Sequence, residues 1–73
     1  MFTDDQMKRL DTIFLEAFEL GLRHLDADDP LDWIAVFAYA RGWAKWENNY
    51  ERVGKLESLS ARTWLILDEA TSP

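Results

Sequence analysis

Asp26, Asp28, Asp29 and Asp32 crowd into seven residues and form the densest set of hard oxygen ligands in the chain. Carboxylates at such spacing could hold Ca²⁺. An EF-hand loop opening at Asp26, however, needs a third Asp or Asn where Pro30 stands, a glycine at Leu31 and a glutamate at Phe37. Three of its positions are wrong. The same residues match a different pattern: Asp29 followed by Pro30 is an N-cap with proline at the first helical position, and Asp32 lies near the positive end of that helix's dipole. The aspartates are therefore expected to cap a helix and to show negative charge to solvent, with no metal or other cofactor.

His24 is the only histidine, and there is no cysteine. Nucleophilic or acid–base catalysis needs a second group within hydrogen-bond reach, and the sequence names none for it. A place at the end of a first helix, where an imidazole suits the negative pole of the dipole, is expected instead. Near the C-terminus, "TWLILDEATS" (residues 63–72) resembles the Walker B segment of ABC-type ATPases. That resemblance implies a buried strand handing Asp68 to Mg²⁺ and Glu69 to water. It covers ten residues and lacks the phosphate loop, because the only Gly-Lys pair, Gly54-Lys55, is followed by Leu56 and preceded by Asn49 where the first glycine belongs. The spacing also fits a helix better than a strand, since Leu56, Leu59, Thr63, Ile66, Leu67 and Ala70 fall on one stripe. No convergent catalytic set remains, and the chain is expected not to be an enzyme.

The elements that carry these residues follow from periodicity and caps. Thr3 and Gln6 form a capping box, with Phe2 and Met7 placed as a hydrophobic staple. Met7, Leu10, Phe14, Ala17, Phe18, Gly21 and Leu25 then recur at helical steps, which predicts helix 1 over about 4–25. Asp4 with Lys8, Asp5 with Arg9 and Glu19 with Arg23 stand four apart in the favourable order. Helix 2 is predicted over about 30–53, ending at Gly54, unless Asn48-Asn49 breaks it; a last helix is predicted over about 58–70. The fold class expected is all-α, one domain spanning residues 1–73, a compact three-helix bundle with a fourth helix if helix 2 breaks. A chain this short yields only about 3–5 kcal/mol of stability.

Composition bounds the function. Fourteen acids against eight bases give a net charge of −6, which opposes direct binding to nucleic acid, including binding as a helix-turn-helix. Residues 1–39 hold nine acids and three bases, whereas residues 40–62 hold five bases and three acids. No run reaches the eighteen or so apolar residues of a membrane span, and the start "MFTDDQMKRL" is acidic; a soluble, cytoplasmic chain is expected.

The unusual feature is aromatic. Trp33, Trp43, Trp46, Tyr50 and Trp64 lie among Arg41, Lys45 and Arg52, and helix 2 is apolar around nearly its whole circumference. Such a helix is sandwiched between neighbours or keeps a face for another molecule. The sequence thus predicts a protein-interaction module, an inhibitor or regulator that meets a basic surface of a larger nucleic-acid-handling protein, as short acidic phage-encoded proteins do with host transcription or defence machinery. Asp26, Asp28, Asp29, Asp32, Arg41, Trp43, Lys45, Trp46 and Tyr50 are its candidate contact residues. One alternative is a homo-oligomeric structural or adaptor protein, such as a homodimer, in which helix 2 covers its spare face with its own copy; another is a helix-turn-helix DNA-binding regulator, for which the weakly basic stretch Arg41, Lys45, Arg52, Lys55 and Arg62 is the only support.

Overall fold

The first helix begins where its capping box lies. In the computed structural model, which describes residues 2–72, the Thr3 hydroxyl accepts the Gln6 N–H at 3.1 Å and the Gln6 side chain accepts the Thr3 N–H at 2.9 Å. Three helices follow: α1 (Asp4–Glu19), α2 (Pro30–Trp46) and α3 (Tyr50–Thr71), with no strand among the described residues. The fold is an all-α three-helix bundle.

Helix α1 stops at Glu19 rather than near residue 25. Gly21 takes a φ of 91°, its N–H donates to the Phe18 carbonyl at 2.9 Å, and the Leu22 N–H reaches back to the Ala17 carbonyl at 3.0 Å. This is a Schellman termination, which glycine permits because it has no Cβ to clash in the left-handed region. The apolar spacing runs through Gly21 unbroken, so periodicity conceals the stop. His24 accordingly lies exposed in the connection and caps nothing. Arg23 leaves the helix too; in place of a pair with Glu19, its guanidinium sits 4.4 Å above the Phe18 ring, a cation–π contact. Of the three expected ion pairs only Asp5–Arg9 is present among the described residues, at 3.1 Å.

Helix 2 does break at Asn48-Asn49, and no fourth helix results. Asn48 adopts a left-handed φ of 59° and Asn49 caps the next helix, its side chain accepting the Arg52 N–H at 3.3 Å. Asparagine is the non-glycine residue best suited to the first task and a preferred residue for the second. Helix α3 then starts at Tyr50 and runs straight through Gly54, which ends nothing: the predicted residues 50–53 and 58–70 belong to one helix of 22 residues. The Walker B look-alike lies inside it. Asp68 is exposed and Glu69 forms a fork with Arg9.

Helix α3 occupies the middle of the bundle, antiparallel to both neighbours. Leu56, Leu59, Thr63 and Ile66 are buried along it, against Leu10, Ile13 and Ala17 of α1 and Trp33, Phe37 and Ala44 of α2. Phe37, essentially fully buried, contributes about 1.5–3 kcal/mol as a phenylalanine removed from water. Thr63 satisfies its hydroxyl by donating to the Leu59 carbonyl at 2.8 Å. Trp33 is only 1% exposed, packs on Phe14 with ring centroids 5.7 Å apart, and donates its indole N–H to the Asp26 carbonyl at 2.6 Å. That bond ties the connection to α2 and holds Leu25 in the core.

Two forks clasp α1 to α3. Arg9 meets Glu69 at 3.0 and 2.6 Å, and Arg62 meets Glu16 at 2.7 and 3.1 Å. The hydrogen bonds from Arg62 hold the Glu16 carboxyl below its ordinary pKa, and those from Arg9 do the same for Glu69. At the far end Arg52 donates to the Leu20 carbonyl at 2.7 Å, an otherwise orphaned acceptor at the end of α1. Helix α1 packs chiefly on α3, so among the described residues the side of α2 away from α3 has no helix over it. The bundle measures 40 × 21 × 16 Å.

Candidate functional site

The antiparallel order brings the start of α1, the start of α2 and the end of α3 to one pole. Asp4, Asp5, Asp11, Asp26, Asp28, Asp29, Asp32, Asp68 and Glu69 gather there against Lys8 and Arg9 alone, a net charge of −7. The other charged residues, five glutamates and six cations, sum to +1, in agreement with the total of −6. The sequence shows an acidic first half; the fold turns it into an acidic end by adding Asp68 and Glu69 from the other terminus.

Within this pole the four aspartates of the connection divide. Asp26 and Asp29 serve the backbone: the Asp26 carboxylate accepts the Asp28 N–H at 2.9 Å, and the Asp29 carboxylate accepts the Asp32 N–H at 3.3 Å. Asp28 and Asp32 are exposed, and neither makes an ion pair among the described residues. Beside Asp28 and Asp11 opens an apolar groove of about 360 Å³ lined by Phe2, Met7, Leu10, Phe14, Ala27, Pro30 and Trp33. The expected staple residues Phe2 and Met7 thus form part of its wall. Among the described residues no three His, Cys, Asp or Glu side chains are grouped so as to hold a metal ion.

The second surface is the outward side of α2. Pro30, Trp33, Phe37 and Ala44 point inward, and roughly half a turn away at 100° per residue stand Leu31, Ala35, Tyr39, Gly42 and Trp46. Tyr39 is 70% exposed, Trp43 53% and Trp46 67%. With Ala38 and Gly42 as a floor, these three aromatics wall a shallow groove of about 330 Å³. Tyr39 and Trp43 stand edge to face, centroids 6.4 Å apart at 67°.

The predicted contact residues of α2 are therefore only partly brought together. Trp43 and Trp46 share the groove. Arg41 turns toward α3 and lies 3.6 Å from Glu57. Tyr50 is exposed across the helix turn, where its hydroxyl donates to the Asn48 side chain at 3.1 Å. Lys45 is exposed, and Trp64 is exposed on α3 away from the groove lining. Tyr39 is the aromatic groove residue absent from the predicted contact set, although its position four residues before Trp43 signals a shared face. Asp11 and the groove beside it were equally invisible, because they need the chain's first residues folded against Pro30 and Trp33.

No protein-family model matches this sequence, and no curated protein and no solved structure matches it. Among the described residues, no helix is long and apolar enough to cross a membrane.

Proposed function

We propose that this chain is a small non-enzymatic interaction module, an inhibitor or regulator that applies its acidic pole to a basic surface of a larger nucleic-acid-handling protein. The observation that carries this is the net charge of −7 at one end of a 40 Å molecule, set around an apolar groove. Surfaces that hold a phosphate backbone are rich in Lys and Arg, and a compact polyanion competes for them. Complementary charge steers encounter and fixes orientation more than it adds affinity. The groove between Asp11 and Asp28 supplies what charge lacks, a recess for an apolar anchor flanked by basic side chains.

The test begins with the partner. Protein retained by the immobilised chain from extracts of its native host is purified, and competition between this chain and nucleic acid for it is read by fluorescence anisotropy. Asp11, Asp28 and Asp68 are exposed and their carboxylates cap no helix, so the triple variant Asp11→Lys, Asp28→Lys, Asp68→Lys keeps the fold. Association should slow by about tenfold or more, and the native rate should fall steeply with salt. Equal rates for the two proteins, or insensitivity to salt between 50 and 300 mM, would remove the acidic pole from the mechanism.

A further inference from the structure

The outward face of α2 lies apart from the acidic pole's groove and asks for its own occupant. We infer that it is covered by a second copy of the chain, with the two α2 helices antiparallel across a two-fold axis between Ala38 and Tyr39. Three features favour a copy over an unrelated partner. First, the face is self-complementary in that register, where residue i stands opposite residue 77 − i: Ala38 meets Tyr39 at the crossing, small Ala35 meets small Gly42 about one turn to either side, and Leu31 meets Trp46 toward the ends. Each bulky side chain thus stands opposite a smaller one, which lets the two helices interdigitate about the axis.

Second, the polarity of charge selects the antiparallel order. Each copy's acidic pole, at −7, then lies beside the other's opposite end, at +1; a parallel pair would set −7 against −7. Third, the area suits such a pair. From their exposures, Tyr39, Trp43, Trp46 and Leu31 offer on the order of 600 Å², against about 800 Å² per partner in a standard interface. The expected dimer is weak, half-formed at micromolar to high-micromolar concentration, and displays an acidic pole at each end.

Sedimentation equilibrium from 5 to 500 µM reads it. The weight-average mass should climb from 8.6 kDa toward twice that value, and Trp43→Lys should hold it at 8.6 kDa while the helical circular dichroism spectrum is unchanged. The chain has no cysteine, so single cysteines report register cleanly. Ala38→Cys should cross-link to its copy on mild oxidation. Ala35→Cys should not, because seven residues of helix rise separate it from its mate by about 10 Å, beyond disulfide reach. A mass fixed at 8.6 kDa overturns the dimer and leaves the face to a different occupant; efficient cross-linking through Ala35→Cys overturns the antiparallel register.

Discussion

The chain's glycines make a sharp test of where its helices end. Gly54 lies inside α3 with ordinary negative φ, and a Cβ built on it meets nothing within 4 Å. Alanine there should stabilise the protein by about 0.8–1 kcal/mol, the difference in helix propensity between the two residues. Gly21 has equally open surroundings but a φ of 91°, so the same substitution forces an L-residue into the left-handed region at a cost of roughly 1–2 kcal/mol. Both effects are large beside the ~3–5 kcal/mol of total stability a core of this size yields. At about 4–8 °C per kcal/mol for a domain this small, Gly54→Ala should raise the melting temperature by several degrees and Gly21→Ala should lower it by about 5–15 °C. Thermal and urea unfolding followed by circular dichroism measures both, at 5 µM to limit self-association. The two signs carry the test. If Gly54 ended a helix in a left-handed conformation, as the sequence pattern suggests, its alanine variant would be destabilised. A fall in stability for Gly54→Ala, or a rise for Gly21→Ala, would refute the helix boundaries described above.

Two further outcomes are expected. The clasps Arg62–Glu16 and Arg9–Glu69 hold both carboxyls below their ordinary pKa, so what they add is fully present above about pH 4.5 and is lost as pH falls through the lowered folded-state values. Both pairs are solvent-facing and the contribution is correspondingly modest. The measurement is a difference: the stability gap between wild type and Glu16→Gln, Glu69→Gln in urea should be open at pH 6 and closed near pH 2. The tryptophans should also divide. Trp33→Ala removes a buried ring and should cost about 3–5 kcal/mol, comparable to the whole stability of the chain, so that a large fraction is unfolded at 25 °C, whereas Trp43→Ala, on an exposed face, should stay within about 0.5 kcal/mol of wild type in dilute solution. Melting curves of the two variants distinguish these outcomes.

Much of this architecture is local and was readable as sequence. The Thr3–Gln6 capping box, the Asp29-Pro30 helix start and the stripe through Leu56, Leu59, Thr63 and Ile66 each depend on contacts within four residues, which composition and spacing encode directly. The same locality misleads at Gly21 and Gly54. Both glycines sit inside apolar periodicity, and only the backbone torsion adopted in the folded chain distinguishes a terminator from an interior residue. The two surfaces are long-range matters. That α2 has more apolar circumference than it needs is plain from its residues, but whether Trp33 or Trp43 goes inside depends on which side α3 takes; the seating of α1 on α3 then leaves Tyr39, Trp43 and Trp46 outside. Asp4 and Asp68 likewise stand 64 positions apart and become neighbours in one acidic end only because α1 and α3 run antiparallel. Side-chain chemistry and caps belong to the sequence, whereas facing and polarity arise from how three helices share one small core.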